Sequence, residues 1–594
     1  MEEAMRSFED YSFDGIQDML SSKSRSRESV EGVNIRKQSH FYGSGDGIEV
    51  GGNDYCFYRD VSMGEGFLFS KYQNQEQKQQ SYLDCRLLGD HSFNVRSPLL
   101  QTSLDGIEKL DEFPAGTQYV LENRKENGYP FSLASLELHG DRQLKGERIV
   151  DRSSGTPCAK VMGAELSTEE IMKMAGAKFI QSFSQMVDIA SMLNNPYDLF
   201  FSGLSEDAAR NVELAEFLLA SAEKVGNQQF ERANRLLNYC EHLSSNGGNP
   251  VQRVVHYFSE ALRERIDRET GRITPKWSEK MKSFDLDKAM MTLNPAILSC
   301  YQNVPFSQVA HFAGIQAIVE KVARAKRIHI IDLEIRNGVQ WTVLMQALVS
   351  QHGSPLELLK ISAIGSTSKN SIEDTGKRLM SFAESMNIPF SFKVVMISDM
   401  LDLKKDLFEL GAKEAVAVYA ENYLRNLIAL PNRLDSIMKV LRNINPHIVV
   451  VMEVEANNNS PSFVSRFIEA LFFYSAYFDC FDACMGRDSP NRMIAESKFI
   501  NQEIRNIVAT EGEERKIRHV KLDVWRTFFA RFAMVETELS KSSLYQARLL
   551  LNKIACWSSC TLDMNEKSLL IGWKGTPIYS LSVWKFDRKQ KGLK

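Results

Sequence analysis

One stretch near the middle of the chain constrains the fold more than any other. It begins with the run Ile328-His-Ile-Ile-Asp332, passes through a loop with Asn337-Gly338, and continues into a helical apolar pattern over 339–351. An apolar run that ends in a carboxylate, followed by a turn and a periodic segment, predicts a buried strand, a loop and a helix. These elements form the opening unit of a parallel α/β sheet, whose ligands or partners meet the carboxyl ends of the strands.

Strands and helices continue to alternate after this unit. Alternation at this spacing predicts right-handed βαβ crossovers and a parallel sheet covered on both faces. We therefore predict the α/β class, with a doubly wound, mostly parallel sheet and a C-terminal β-hairpin around Lys574-Gly-Thr-Pro577 that closes the sheet edge. The predicted strands are 328–333, 358–364, 392–397, 415–420 and 447–453, and the predicted helices are 339–351, 372–386, 426–444, 461–477 and 492–510.

Helix-rich sequence precedes the strands, over about 165–327. Ser167-Thr-Glu-Glu170 has capping-box spacing, and Asn249-Pro250 combines a cap residue with a first-turn proline. The apolar stripes in this region are broader than a coiled-coil seam, which favours a globular helix bundle over a zipper. We hypothesise that part of the bundle binds a partner chain, as a homo- or heterodimer. The candidate interface residues are Leu214, Leu218, Val251, Val255 and Phe258.

Residues 1–164 differ in composition from the rest of the chain. Ser, Gly, Gln, Asn and charged residues dominate 21–27, 43–53 and 73–80. Such sequence buries too little apolar surface to offset chain entropy, which predicts a low-complexity, mostly disordered region. The acidic and aromatic run 8–20 has two interpretations. It is either a short activation segment that folds on a partner or a tail with chance aromatics.

Composition limits the class of protein. Hydrophobic residues make up 43% of the chain and charged residues 25%, as in soluble globular proteins. No run of about 18 apolar residues predicts a membrane span, and the acidic start does not resemble a signal peptide. Nine scattered cysteines fit a reducing compartment. A net charge of −4 argues against a protein that coats nucleic acid through bulk charge.

The loop after the first predicted strand bears on catalysis. A methyltransferase or dinucleotide enzyme needs glycines there, because only glycine lets the backbone approach the cofactor closely. Here the loop has one glycine, Gly338, and bulky Leu333, Ile335 and Arg336. A structural role for Asp332 is therefore favoured. A methyltransferase-like enzyme that binds S-adenosylmethionine, or a small-ligand-binding protein, is the alternative.

Other residues that could carry chemistry also have simpler interpretations. Cys480-x-x-x-Cys484 and Cys556-x-x-x-Cys560 are more typical of small buried side chains than of a zinc site. Glu453 and Glu455 follow the fifth strand and could act in acid–base catalysis, or simply form an acidic loop. We predict no catalytic residue, no cofactor and no metal site, and no enzymatic activity.

Two basic runs are candidate DNA contacts. Arg263 and Arg265 lie near the end of a predicted helix, and Arg515 and Arg518 form part of a second cluster. Lys and Arg side chains bind phosphates and give affinity without sequence information. The alternative is that both clusters are solvated faces.

Several motifs together resemble the GRAS family of plant transcriptional regulators, over roughly 165–586. The central motif resembles the family's VHIID motif, and terminal tryptophans match its last motif. The resemblance implies a helical cap (165–327) on an α/β core (328–590) similar to methyltransferases, within a GRAS-type domain of 165–590. The family motif residues are Ile328, His329, Ile330, Ile331, Asp332, Gly338, Gln340, Trp341, Trp525, Trp573 and Trp584.

The resemblance also implies a function. It implies a nuclear regulator of development, hormone or symbiosis signalling that binds other GRAS proteins or transcription factors through leucine-rich helices, and possible contact with promoter DNA. Leu333-Glu334 stands where the family usually has Phe-Asp, and Gly314-Ile315 where Ala-Asn is usual. The chain has no Asp-Glu-Leu-Leu-Ala segment, which favours a non-DELLA branch.

Overall fold

Ten strands form one sheet within the part of the chain that the structure describes. The computed structural model describes residues 147–148, 166–184, 204–272, 289–350, 356–366 and 368–587. The strands are β1 (Glu147–Arg148), β2 (Arg327–Asp332), β3 (Leu358–Gly365), β4 (Phe390–Met396), β5 (Ala415–Glu421), β6 (Ile448–Val454), β7 (Met534–Glu536), β8 (Cys560–Asn565), β9 (Ser568–Trp573) and β10 (Thr576–Phe586).

The strand order confirms the predicted fold class. Hydrogen bonding places the strands in the order β1-β8-β9-β10-β6-β5-β2-β3-β4, and β7 pairs with β10. The strands β4, β3, β2, β5 and β6 run parallel to one another. The chain runs outward from β2 to β3 and β4, then crosses back to β5 and β6 on the other side of β2. The carboxyl ends of β2 and β5 therefore meet at a topological switch point, where ligands of doubly wound sheets usually bind.

The C-terminal hairpin is present, but its predicted position was wrong. Lys574 and Gly575 connect β9 to β10 with φ values of 48° and 100°. Two positive φ values in a two-residue loop are typical of a type I′ hairpin turn, and glycine adopts them without strain. However, β10 also pairs antiparallel with β6, so the hairpin lies inside the sheet and does not close its edge. Local sequence specifies the turn and the two strands of a hairpin. The strand that pairs with the hairpin in the sheet comes from a distant part of the chain, here β6.

Helices cover both faces of the sheet. On one face lie the helices Pro305–Val322, Val339–Val349, Lys369–Ser385 and Lys541–Lys553. On the other face the core is closed by the helices Pro431–Ile444 and Leu522–Ala530. The helices are α1 (Thr168–Ser184), α2 (Glu206–Gly226), α3 (Phe230–Leu243), α4 (Pro250–Glu269), α5 (Pro295–Asn303), α6 (Pro305–Val322), α7 (Val339–Val349), α8 (Lys369–Ser385), α9 (Pro431–Ile444), α10 (Phe463–Met485), α11 (Pro490–Ile494), α12 (Asn501–Ala509), α13 (Leu522–Ala530) and α14 (Lys541–Lys553).

Three predicted helices differ from the observed ones, and the one predicted over 461–477 continues to Met485. The helix predicted over 426–444 begins only at Pro431, because proline is favoured in the first turn and lacks the N–H needed further inside a helix. The helix predicted over 492–510 is interrupted by a π-helical segment, Ala495–Ile500, between α11 and α12. Such segments are rare and cannot be recognised from apolar spacing alone.

The helical layer combines residues from both ends of the described chain. Both predicted helix starts are confirmed: Ser167 exchanges hydrogen bonds with Glu170, and Asn249 with Gln252. α4 packs against α2 and α3, and also against α10 and α12. The predicted boundary at residue 327 separates a helical cap from an α/β core along the chain. In the structure, helices from both sides of this boundary pack together.

A buried charge cluster fixes α4 to the later helices. Arg253 lies 2.8 Å from Asp482 and 3.2 Å from Glu496, and Arg492 lies 2.6 Å from the same Glu496 carboxylate. The side chains of Arg253, Arg492 and Glu496 are fully buried. The Glu496 carboxylate is thus shared by two guanidinium groups that water does not reach, and Asp482 gives Arg253 a second negative partner.

Two further findings concern the sequence predictions. Glu147–Arg148 pairs with β8, and the rest of 1–164 lies outside the described residues, so the mostly disordered character of this region stays a prediction. The candidate activation segment 8–20 lies outside the described residues. Among those that are described, no helix is long and apolar enough to cross a membrane.

Glu496→Gln tests the energetic role of the buried cluster. The substitution leaves Arg253 and Arg492 buried without their shared negative charge, and breaking such a pair costs about 3–5 kcal/mol. We expect a loss of this size in the free energy of unfolding, measured by urea denaturation with circular dichroism. Glu206→Gln is the control, because Glu206 pairs with Arg210 on the solvent-exposed surface of α2 and should cost less than about 1 kcal/mol. Equal losses would contradict the role assigned to the cluster.

Candidate functional site at the carboxyl ends of the parallel strands

Three neighbouring strands end in an acidic residue. Asp332 is the last residue of β2, Glu421 the last of β5, and Glu453 the last but one of β6. All three carboxyl groups are buried. Because β2, β5 and β6 are adjacent and parallel, these groups gather at one end of the sheet. This is the switch-point end, so we take it as the candidate functional site.

Asp332 is held by the helix that follows its own strand. The indole Nε1 of Trp341 donates to Asp332 Oδ2 at 2.8 Å, and the backbone N–H of Glu334 donates to Oδ1 at 3.2 Å. Burial raises the pKa of Asp332 to about 7, although both hydrogen bonds act in the opposite direction. The carboxyl group is therefore partly protonated near neutral pH.

The pKa of Glu421 is shifted in the opposite direction to that of Asp332. Its Oε2 lies 2.8 Å from His311 Nε2 and accepts a hydrogen bond from the Tyr419 hydroxyl at 3.3 Å. Burial opposes ionisation, but the charges of His311 and Arg336 outweigh it and lower the pKa of Glu421 to about 2. Two neighbouring carboxyl groups are thus set to different protonation states, a pattern that also occurs in acid–base pairs of enzymes.

Arg425 organises a second polar group beside the first. Its guanidinium lies 2.7 Å from His519 Nε2 and 2.8 Å from Glu503. Burial and the Arg425 charge lower the pKa of His519 to about 3, so the ring is neutral. Because arginine only donates, Nε2 accepts and Nδ1 carries the proton. The amide nitrogen Nδ2 of Asn458 lies 3.2 Å from Nδ1, and exchanging the nitrogen and oxygen of this amide would let the oxygen accept the Nδ1–H.

The two glutamates at the carboxyl end of β6, Glu453 and Glu455, accept backbone hydrogen bonds. Glu453 Oε1 accepts the N–H of Leu424 at 2.9 Å, and Glu455 accepts the N–H of Leu522 at 3.1 Å. Burial raises the pKa of each to about 7. Both carboxyl groups therefore hold loops and helix starts in place, which agrees with the structural interpretation of this acidic pair.

The loop after β2 is filled by side chains of the chain itself. Leu333 and Ile335 are buried, and Leu333 belongs to the apolar core of one sheet face. Gly338 has a φ of 77°, and a Cβ there would lie 2.9 Å from Thr375 Cγ2. This glycine is needed for the turn and for close packing of the loop on α8.

The family motif residues lie in the interior. In β2, His329 lies 2.8 Å from Ser362 Oγ and 3.1 Å from Glu414 on the face opposite Asp332. Trp573 Nε1 donates to Asp479 at 2.7 Å. Trp525 and Trp584 both pack on Phe529, with ring centroids at 5.7 and 4.8 Å. Burial of these residues indicates that the motifs specify the fold. The other buried motif residues are Ile328, Ile330, Ile331 and Gln340.

The predicted partner interface is corrected by the structure. Leu214, Leu218, Val251, Val255 and Phe258 are all at most 3% exposed. The apolar face of α4 is covered by helices of the same chain, as the edge-to-face contact of Phe258 with Phe467 at 5.4 Å illustrates. Periodicity identifies the apolar face of a helix, but it does not reveal what covers that face.

The four predicted DNA contacts are engaged within the chain. Arg265 and Arg515 are buried, and Arg265 lies 2.8 Å from Glu511 while Arg515 donates to the carbonyl of Asn458 at 3.3 Å. Arg263 pairs with Glu241, and Arg518 donates to the carbonyl of Gly512 at 2.8 Å. Each positive charge thus has internal acceptors, and DNA contact by these residues stays a prediction. A basic run in sequence does not reveal which carboxylates and carbonyls lie beside it.

Several residues of the site were not found from the sequence. His311, Tyr419, Arg425, Glu503 and His519 come from different elements, and no local motif connects them. The sequence signal for this site is an acidic residue at the end of each apolar strand. The sequence predictions use this signal for β2 and β6 but not for β5.

The fold and site define an α/β protein whose switch-point end is occupied by its own polar and aromatic side chains. The GRAS domain family model matches residues 214–585, more than half of the chain. The chain therefore belongs to the GRAS domain family, which the motif resemblance associates with plant transcriptional regulation.

Relatives support the same family. DELLA protein RGL1 of Arabidopsis thaliana is 32% identical over 378 residues, which cover 64% of this chain and 70% of that protein. DELLA protein GAIP of Cucurbita maxima is 29% identical and is covered over 64% of its length. The crystal structure of SCL7 in Oryza sativa matches with a TM-score of 0.56 and 26% identity, over 63% of this chain and 99% of that one. The non-DELLA assignment stays a prediction.

Asp332→Asn tests the protonation state of the site. The pKa of Asp332 is near 7 in the folded chain and has its ordinary value in the unfolded chain. Ionisation of Asp332 therefore favours the unfolded state progressively as pH rises from about 4 to 7, and the effect is constant above that. The unfolding free energy of the natural chain should therefore fall by roughly 2–3 kcal/mol relative to Asp332→Asn between pH 5 and pH 8. Urea titrations at both pH values measure it. Asp374→Asn, on the exposed surface of α8, is the control and should show no such slope.

Leu218→Asp tests the corrected interface. Leu218 is completely buried, so a carboxylate there should unfold the helical layer and lower helicity in circular dichroism. Leu243→Asp, at the exposed end of α3, is the matched control and should leave the fold intact. A folded Leu218→Asp chain that loses only a binding partner would restore the interface hypothesis.

Proposed function

We propose that the chain is a plant nuclear transcriptional regulator that acts through binding to other proteins and not through catalysis. The partners are other GRAS proteins or transcription factors, in homo- or heterodimers. Membership of the GRAS domain family supports the regulatory role. Nuclear localisation and the identity of the partners are part of the proposal.

The observation that carries the proposal is the filling of the switch-point end of the sheet. Asp332 is bound by Trp341, Glu421 by His311, and Arg425 by His519 and Glu503. A catalytic acid or base must reach a proton on a substrate. Here these side chains hydrogen-bond to one another, although among the described residues the buried Arg425 Nε and Asn458 Oδ1 have no hydrogen-bond partner. The pairing favours a rigid scaffold that presents an outer surface to partners.

Small-ligand binding, including S-adenosylmethionine, is the second candidate. It is favoured by the switch-point location and by the opposite pKa shifts of Asp332 and Glu421. It is opposed by the buried side chains of Leu333 and Ile335, in the loop where such enzymes need glycines.

Protein partners are favoured over direct DNA binding. Arg263, Arg265, Arg515 and Arg518 all have acceptors within the chain, so phosphate binding would have to break internal contacts. Promoter recognition is therefore proposed to come from a bound transcription factor.

Four measurements on the full chain separate these functions. Calorimetry with S-adenosylmethionine up to millimolar concentration should give no saturable heat, because the site is filled. Light scattering with a labelled random DNA pool should give a folded species that selects no defined sequence. Tethered to a heterologous DNA-binding domain in plant cells, the chain should change reporter expression and should be nuclear as a fluorescent fusion. Saturable cofactor binding that is lost in Asp332→Asn, or selection of one DNA sequence, would contradict the proposal.

A further inference from the structure

The fold brings two separate cysteine pairs into one cluster. Cys480 and Cys484 lie on the last turns of α10, with their Sγ atoms 3.8 Å apart. Cys556 and Cys560 flank the short 3₁₀ turn that precedes β8. Cys556 Sγ donates to the carbonyl of Ala483, the residue before Cys484, at 3.0 Å, and the neighbouring Cys556 thiol helps to lower the pKa of Cys484. Four thiols from two distant segments therefore meet, which neither pair indicates alone.

The four thiols differ in accessibility. Cys480 and Cys560 are buried, whereas Cys484 and Cys556 are partly exposed. The hydrogen bond with Cys480 lowers the pKa of the Cys484 thiol, against the effect of burial. Burial raises the pKa of Cys480 and of Cys560, and it raises that of Cys556 to about 11. Cys484 therefore combines access with the readiest ionisation, the two features that make a thiol reactive.

Cys556 is the favoured bridging partner of Cys484. Cys480 lies one helical turn away, and Cβ atoms at that spacing are about 5–6 Å apart. A disulfide needs about 3.5–4.5 Å between Cβ atoms, so a Cys480–Cys484 bridge would distort α10. Cys556 instead lies in the short segment between α14 and β8, outside any α-helix or strand, where the backbone can adjust.

A metal site is a weaker explanation of the same cluster. Zinc needs ligands arranged as a tetrahedron around one point. Among the described residues, no group of three or more His, Cys, Asp or Glu side chains is arranged to hold a metal ion. A covalent link needs only two sulfur atoms to approach each other.

We propose that Cys484 and Cys556 form a reversible disulfide when the protein meets a peroxide, which makes this cluster a redox-sensitive modification site. The Cys484 thiolate attacks one peroxide oxygen, so an S–O bond forms, the O–O bond breaks, and water leaves after protonation. The Cys556 sulfur then attacks the sulfenic acid, forming the S–S bond and releasing a second water. Two thiols are oxidised and one peroxide is reduced. A thiol reductant reverses the link by exchange.

The link would join two parts of the fold. α10 belongs to the helical layer and packs on α4, whereas Cys556 leads into β8 of the antiparallel part of the sheet. Intracellular disulfides are usually transient and sense redox state. Oxidation would therefore restrain the helical layer against the sheet reversibly.

Peptide mapping of the full chain tests the site. The reduced protein is exposed to hydrogen peroxide, free thiols are alkylated, and digested peptides are analysed by mass spectrometry. We expect a Cys484–Cys556 cross-linked peptide that disappears after reduction. In Cys556→Ser, Cys484 should accumulate as sulfenic acid, trapped by dimedone. In Cys484→Ser or Cys484→Ala, the loss of thiols at position 556 should slow at least tenfold.

Cys300 provides the matched control. Its thiol is also partly exposed and lies 3.9 Å from Met485 Sδ, close to the same end of α10. Cys300→Ser should leave the cross-link unchanged. Circular dichroism confirms folding of each variant, and mapping of the natural chain needs no variant at all. A Cys484 that oxidises no faster than Cys300, a bridge to Cys480, or one equivalent of zinc that is lost in Cys484→Ser would each overturn the proposal.

Discussion

The pairing of β10 with β6 is the constraint on which the rest of the structure depends. Its register runs from Tyr579 opposite Val454 to Trp584 opposite Val449. Among the described strands, this pairing alone connects the five parallel strands to β1, β7, β8 and β9. β10 is also the last described strand of the chain, so the sheet is completed by contacts between residues far apart in sequence. Such contacts require a larger loss of chain entropy than local ones, which slows folding.

β10 also contacts the helices on both faces of the sheet. Leu581 faces Gly314 of α6, where an added Cβ would lie 3.3 Å from the leucine, so the glycine allows close approach of helix and sheet. Trp584 packs on Phe529 of α13 on the opposite face. At the site, the hydroxyl of Tyr477 in α10 donates to that of Tyr579 at 3.4 Å. Gly314 departs from the usual family residue, and this packing gives the departure a physical reason.

At the switch-point end of the sheet, side chains of the chain itself pair with one another. A ligand site requires polar groups that are pre-arranged but without partners. Here His311 is hydrogen-bonded to Glu421, and Arg425 lies between Glu503 and a neutral His519. Charged groups that satisfy one another in a low-dielectric interior hold their elements rigidly, and leaving any one of them without its partner is costly.

The sequence by itself determined the local elements. The apolar run ending at Asp332, the turn at Gly338 and the helix that carries Trp341 were predicted, because strand period, glycine and helix period act over a few residues. Helix caps at Ser167 and Asn249 followed for the same reason. Only the tertiary structure decided that β10 lies beside β6, that Leu218 is core, that Arg265 is paired, and that His311 meets Glu421. These relations join residues distant along the chain, and the physical reason is that packing and charge pairing depend on spatial neighbours, which a local pattern does not specify.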